Sequence, residues 1–437
     1  MVRRLDVAVI GGGWAGLAAA VQATQDGRQV TLFEMASQLG GRARSVHCRD
    51  ASGQDLTLDN GQHILIGAYH RSLALMAQVG VSPDQVLQRL PLRLCYPDLE
   101  GLSLRSGHPS LAFALAVLAC RQWRWRDRLG LLRHCAVFAM KGFSCDSRLT
   151  VADLCANFPQ SVREQLIDPL CVAALNTPMS QASAAVFLRV LKDALFSGRG
   201  SSDLLLARRP LSDLLADPAA AWLQAKGARV RLNQRIGQVI LQEGQWRVDG
   251  QAFDAVVLAC TAAEAARLAG PTDAAWAQTA GALHYEPIVT VYLHSPGSRL
   301  PMPMMALHQG PEAPAQFAFD LGQLHQDSQA AGRFAFVISG AGAWLERGLA
   351  TTIQATLAQA RQALAKYWQT PPVLQRVLTE KRATFACTPG LQRPHARIAP
   401  DLIAAGDYVQ GPYPATLEGA VMSGYAAAKA IASQTSL

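Results

Sequence analysis

Three features of the sequence predict an α/β fold built on a parallel sheet, with a second α+β lobe interleaved. Residues 5–10, Leu-Asp-Val-Ala-Val-Ile, read as a buried parallel strand and run straight into three glycines. Residues 17–26 then read as a helix that stops at Gly27, and residues 29–34 as a second strand ending in an acid. Further buried-strand patterns recur far downstream, at 253–261 and 401–405, in a chain of 437 residues that is too long for one simple core.

Half of the residues are hydrophobic and 16% are charged, the balance of a globular protein rather than a disordered one. The net charge of +8 is mainly arginine, which raises nucleic acid, anionic lipid and acidic substrates as partners. No zinc-finger spacing, RNP-like aromatic strand or dense Lys/Arg run is present, so no nucleic acid is expected. Nine cysteines, with no Cys-x-x-Cys pair, argue against a disulfide framework and a structural zinc site, and no metal is expected. They read as free thiols in a reducing cytosol. The longest apolar run, near residues 111–120, is half of the roughly 20 residues that a spanning helix needs. Arg3 and Arg4 precede an apolar stretch, as in a secretion signal. Asp6 interrupts that stretch, and a triple glycine stands where a cleavage site would be. The expected location is therefore cytoplasmic.

The glycine loop has the spacing Gly11-x-Gly13-Trp14-Ala15-Gly16, and Glu34 lies 18 residues after Gly16. Each part suits a bound dinucleotide in a Rossmann-like unit. Gly11 allows the tight turn, Gly13 lets a pyrophosphate reach the helix N-terminus, and Gly16 lets helix and strand pack closely. Glu34 accepts from a ribose diol and disfavours a 2′-phosphate, which argues against NADP. A glycine loop alone is weak evidence; the flanking strand, helix and acid make it specific.

After Glu34 comes Met-Ala-Ser-Gln-Leu-Gly40-Gly41-Arg42-Ala-Arg44-Ser45. Here the sequence resembles the flavin amine oxidase and phytoene desaturase superfamily, whose members follow the strand-ending acid with a Gly-Gly-Arg turn. The resemblance implies FAD, with Gly40, Gly41, Arg42 and Arg44 along the cofactor. Near the C-terminus, residues 401–409 form a strand ending in Gly406-Asp407, and a small-residue helix starts at Thr416. Taken alone, Gly406-Asp407 is a turn and helix entry. In the superfamily this pair holds the ribityl-phosphate portion and the flavin pyrimidine edge. Thr416, Leu417, Glu418 and Ala420 would then bring backbone donors to the reduced flavin. A strand-and-hairpin pattern spans 227–249, and the resemblance places the backbone of Val239 against the adenine. Cys260, late in the 253–261 strand, completes the implied cofactor set.

Residues 56–69 pass from a strand through Asp59-Asn60-Gly61-Gln62-His63 into an apolar run. With Pro-Ala-Thr-Leu-Glu-Gly-Ala at 414–420, this resembles the squalene-associated branch of the superfamily, over nearly the whole chain. The branch implies that Asn60, Gly61, Gln62 and His63 border the cofactor. It also implies reductive removal of an allylic hydroxyl from a hydrophobic C30 isoprenoid in squalene and hopanoid synthesis, with hydride from reduced flavin N5. An acid must help the hydroxyl leave, and water must be kept from the allylic cation. His63 is the first candidate acid and Tyr413 the second, with a bound water as a third option. His63 reads equally well as a structural histidine beside the loop. There is no second glycine loop for a nicotinamide, so an external reductant is expected. Rival readings are a phytoene-type desaturase, an amine or porphyrinogen oxidase with a lysine near the flavin, and a non-catalytic FAD- and lipid-binding subunit of an isoprenoid synthase complex. Cys387 raises a covalent thioether, against the simpler reading of a buried thiol.

The middle of the chain suits an oily substrate. An apolar helix pattern at 110–120 is followed by Arg121-Gln-Trp123-Arg124-Trp125-Arg126-Asp-Arg128 and a mixed apolar and basic stretch to Gly142. This composition fits a peripheral membrane contact and fits a core helix with a basic end equally well. Residues 301–307, rich in Met and Pro, read as a tunnel lip or a loop packed on the core. The expected division is an FAD-binding domain from 1–75, 205–270 and 384–437, and a substrate-binding domain from 76–204 and 271–383. Candidate partners are the isoprenoid, the inner face of the membrane, the reductant and the upstream synthases of the squalene pathway.

Overall fold

Buried patterns from the two ends of the chain meet in one six-stranded sheet. A computed structural model describes residues 4–49, 53, 55–105, 107–325 and 330–431. The strands lie in the order Arg229–Arg231, Gln29–Phe33, Asp6–Ile10, Ala255–Leu258, Leu402–Ala404 and Arg397–Ala399. The first five run parallel and the last is antiparallel. Both faces are covered, which is why these strands read as continuous apolar runs rather than alternating ones. Val7 and Val9 face a helical layer formed by Trp14–Gln25, Asp217–Ala225 and Leu417–Ala430. Ala8 and Ile10 face the hairpin Val239–Gln242 and Gln245–Val248 and the helix Ala262–Ala269.

The first helix starts at Trp14, three residues earlier than the pattern predicts, so Gly16 lies inside it. Its small residues let the last helix approach closely. A Cβ on Gly424 would stand 2.1 Å from the Ala15 carbonyl oxygen. Arg28 fastens the far end by donating to the Ala428 carbonyl at 2.5 Å and the Ile431 carbonyl at 3.2 Å. A cation at a helix C-terminus is the favourable sign of charge there.

The second lobe rests on a five-stranded antiparallel sheet in the order Met304–Ala306, Phe317–Asp320, Arg333–Ile338, Tyr285–His294 and Val373–Phe385. Its alternation is the two-residue period of a strand. Val289, Val291 and Leu293 face a cluster covered by the helix Leu349–Ala363. Tyr292 points the other way, into a core shared with the helices Pro109–Ala119 and Ala184–Phe196. Within the Met-rich segment 301–307, read as a tunnel lip or a loop packed on the core, Met304–Ala306 form the buried edge strand of this sheet. Backbone pairing needs an extended Met304–Ala306, and all three residues are buried. Among the described residues, no helix is long and apolar enough to cross a membrane.

Glu418 ties together two helices of the layer beside the parallel sheet from one buried carboxylate. Its oxygens accept from the Arg71 and Ser72 amides, both at 2.8 Å, and from the Ser72 hydroxyl at 2.7 Å. The helix His70–Gln78 begins after Tyr69, which makes no side-chain cap, so Glu418 supplies the cap from the other end of the chain. Glu418→Ala should lower stability by about 2 kcal/mol through orphaned buried donors, read as a lower thermal midpoint. Glu418→Gln should recover part of that loss, because one amide oxygen still accepts.

Candidate active site

The three motif glycines answer to different demands. Gly11 has φ +111°, and a Cβ there would stand 2.5 Å from the Ala259 carbonyl oxygen. A Cβ on Gly16 would stand 1.8 Å from the Gly11 carbonyl oxygen. The protein itself therefore needs glycine at both positions. Gly13 is different. Its φ of −75° suits any residue, and a Cβ would meet nothing nearer than Gly41 Cα at 3.8 Å. Only something outside the chain requires Gly13 to be bare. The first-turn amides of Trp14–Gln25 open onto that space, with no side-chain cap to occupy them.

The Gly40-Gly41 turn lies against this loop. The Gly40 amide donates to the Gly12 carbonyl at 2.9 Å, and the Trp14 indole N–H donates to Ala43 at 3.3 Å. Arg44 donates from one terminal nitrogen to the Gly41 carbonyl. Its Nε is buried with no hydrogen-bond partner among the described residues. An orphaned guanidinium N–H beside a bare glycine and a helix N-terminus fits a phosphate-bearing cofactor.

Glu34 is buried at the end of its strand, and its two oxygens accept from the Gly12 amide at 2.7 Å and the Ala36 amide at 2.8 Å. It holds the glycine loop, and each carboxylate oxygen has capacity to accept a further hydrogen bond. Cys260 follows the strand whose end Gly11 crosses, and burial pushes its thiol up to about 12. Val239 is buried in the hairpin opposite Val248.

Arg42 sits where three segments meet. It donates to Asp407 at 2.5 Å and to the Ala383 carbonyl at 2.7 Å. Burial opposes its charge, but Asp407 more than offsets that and holds the guanidinium protonated. Arg42 and Asp407 neutralise each other and clasp the end of the parallel strand Leu402–Ala404 to the antiparallel strand Val373–Phe385. The Gly406 amide donates to the Ser423 hydroxyl at 3.1 Å, which fixes the turn against the last helix. Thr416 caps that helix by accepting from the Gly419 amide at 2.9 Å. Leu417 and Glu418 precede that amide in the first turn, and Ala420 bonds back to the Thr416 carbonyl.

The loop from Asp59 to His63 lies between the two sheets. The Asn60 side-chain amide donates to the Arg42 carbonyl at 3.1 Å and to Glu380 at 3.0 Å. Gln62 donates to the Tyr292 hydroxyl at 3.2 Å, and Tyr292 donates to the Asp59 carbonyl at 2.6 Å. Gly61 makes the bend with φ +94°. The His63 Nδ1–H donates to the Gly61 carbonyl at 3.2 Å, which leaves Nε2 as the other face of the ring. Burial lowers the His63 pKa, the Gly61 carbonyl raises it, nearby Arg42 lowers it and Glu380 raises it; the net direction is down. Near neutral pH the ring is therefore neutral and Nε2 is an acceptor.

Tyr413 stands on a different wall. Its ring lies 5.5 Å from the Arg189 guanidinium, on the helix Ala184–Phe196. Cys387 is buried and its thiol is pushed up to about 12, against the thiolate that a thioether would need. Glu380 and Tyr292 carry no local motif, and only their pairing in the antiparallel sheet brings them here. A cavity of about 920 Å³ beside the 45–59 hairpin is lined by His47, Arg49, Arg208 and Arg209 with Asp55 and Asp213. That lining does not suit an oily chain.

The profile of the family described as flavin containing amine oxidoreductase matches residues 14–432. The chain belongs to that family. It is a flavin-dependent oxidoreductase. Hydroxysqualene dehydroxylase of Zymomonas mobilis is 26% identical over 440 residues, which span 96% of this chain and 97% of that one. The enzyme of the same name from Rhodopseudomonas palustris is 28% identical, over 97% of each chain. The 15-cis-phytoene desaturase of Synechococcus elongatus is 23% identical over 98% and 96%. Among solved structures, an oxidoreductase from Methanosarcina mazei shares the fold, with a TM-score of 0.70 at 15% identity over 97% of this chain and all of that one.

The glycines give a test of the cofactor cradle. Gly13→Ala should keep the far-ultraviolet spectrum and apo-protein melting midpoint of the wild type yet purify with little or no flavin. Gly16→Ala should lose the fold as well, because its Cβ meets backbone.

Proposed function

We propose that the protein is an FAD-dependent dehydroxylase that converts hydroxysqualene to squalene. The observation that carries this reading is similarity along the full length to enzymes named for that reaction. FAD, rather than a mononucleotide, suits Glu34 and the glycine loop, which favour an ADP moiety. All nine cysteines are free thiols, which suits a reducing cytoplasm.

The reaction breaks the allylic C–O bond, places a hydride on that carbon and a proton on the departing oxygen, and releases water. Bound reduced flavin supplies the hydride, and an external reductant restores it. The chain supplies the rest. The Asp59–His63 loop and the antiparallel sheet shield the allylic carbon from water. The charges of Arg42 and Glu380 act on the His63 ring, and the bond to Gly61 uses Nδ1 rather than Nε2. In its neutral form the ring accepts from the alcohol, and in its protonated form it delivers the proton at Nε2.

The test is anaerobic. Photoreduced protein mixed with hydroxysqualene should regain oxidised-flavin absorbance and yield squalene, while phytoene should leave oxidised protein unchanged. Flavin reduction by phytoene, with no reoxidation by hydroxysqualene, would overturn the reading in favour of a desaturase.

The proton role of His63 has its own signature. The protonated form predominates only below its pKa, which lies below the ordinary histidine value. The reoxidation rate should therefore fall as pH rises through that lowered midpoint. Burial also pushes the Asp59 carboxyl up to about 6, so a second group titrates under the same loop. His63→Gln separates them: it should flatten the profile, and a retained slope assigns the proton to Asp59 or water.

A further inference from the structure

The helices Pro109–Ala119 and Trp125–Met140 put the wrong residues in water. A surface helix of a folded domain buries its apolar stripe and exposes its polar one. Here Leu111, Leu115 and Ala119 lie at four-residue intervals and are exposed, with Leu111 at 61% and Leu115 at 55%. On the second helix Trp125, Leu129, Arg133, Ala136 and Met140 share one exposed stripe, with Trp125 at 57%, Leu129 at 49% and Met140 at 80%. Leu131 is the one fully buried residue of that helix, and Leu132, Cys135 and Phe138 pack half-buried against the same cluster. Both helices bury their opposite faces in the same cluster, through Ala112, Phe113, Ala116, Val117 and Leu131. Their exposed faces both turn outward from that cluster.

Charge surrounds this apolar face with a single sign. From Pro109 to Lys141 there are six cations and one acid, Asp127. Arg128 is used within the fold: it donates to the Leu118 carbonyl at 2.8 Å and the Trp123 carbonyl at 2.9 Å, closing the first helix. Arg121, Arg124, Arg126, Arg133 and Lys141 are exposed. An apolar face with a tryptophan, rimmed by arginines, is complementary to one kind of surface: acyl chains beneath anionic headgroups.

We propose that this face docks the protein on a bilayer carrying anionic lipid, with the two helices lying in the interface. Leu111, Leu115, Trp125, Leu129 and Met140 enter the acyl boundary, and Arg121, Arg124, Arg126 and Lys141 meet the phosphates. The buried sides of the same helices belong to the core that holds Tyr292 and packs Ile64, next to His63. A water-insoluble substrate leaving the bilayer here meets continuous apolar protein. The docking surface stands independently of which lipid is the substrate.

The test is sedimentation of the flavin-loaded protein with vesicles of phosphatidylcholine alone or mixed with phosphatidylglycerol. Partitioning should be much stronger on the anionic vesicles and should fall as salt rises. Arg124→Gln with Arg126→Gln should weaken it by roughly 10- to 30-fold. Leu111→Ser with Leu129→Ser should weaken binding at every salt concentration while flavin content and melting midpoint stay unchanged. Equal partitioning on both vesicle types, or none on either, would overturn the proposal. So would a concentration-dependent dimer in lipid-free solution that Leu111→Ser with Leu129→Ser abolishes, because a second copy would then be what covers the face.

Discussion

The Arg42–Asp407 pair is the contact on which the site's geometry depends. It joins residues 365 positions apart, and the same guanidinium reaches the Ala383 carbonyl at the end of the long antiparallel strand. The Arg42 carbonyl in turn accepts from Asn60, which sets the loop that carries His63. One residue thus links the Gly-Gly turn, the Gly-Asp turn, the antiparallel sheet and the His63 loop. Removing one member of such a largely desolvated pair strands a charge, which is worse than never having had the pair. Its worth here lies in position: two lobes that fold around separate cores are held at one distance.

That arrangement explains why the local chemistry was legible in the sequence and the second wall was not. The glycine loop, its strands and Glu34 lie within one contiguous unit, and each announces itself by spacing. Gly406-Asp407 and Thr416 were placed by their motif as well. Glu380 and Tyr292 act through strand pairing and through contacts 320 and 230 residues away. No window of sequence contains both sides of such a contact. The same limit applies to Glu418, which looked like part of a cofactor helix and spends its carboxylate on capping another helix.

Patterning also leaves open which way an apolar face turns, and burial reports that direction. Helices at 110–120 and beyond were equally consistent with a core and with a membrane face, since periodicity reports that one face is apolar and not which way it turns. The edge strand Met304–Ala306 came out the opposite way from the basic helix: its apolar residues face protein on both sides of the sheet. In both cases the deciding fact is the neighbour across space.

The two arginines of Gly40-Gly41-Arg42-Ala-Arg44 show how far a motif carries a role. The motif places both beside the cofactor and does not say which is free to bind it. In the structure Arg42 is committed to Asp407, so its charge is already balanced inside the protein. Arg44 keeps an unpartnered buried Nε beside Gly41 and Gly13, where the chain leaves room that it does not itself use. A diphosphate brings two negative charges, and the helix N-terminus offsets only part of one. Arg44 is the uncommitted cation close by. The two arginines differ accordingly: Arg42 is committed to Asp407 and Ala383, and Arg44 keeps one N–H without a partner among the described residues.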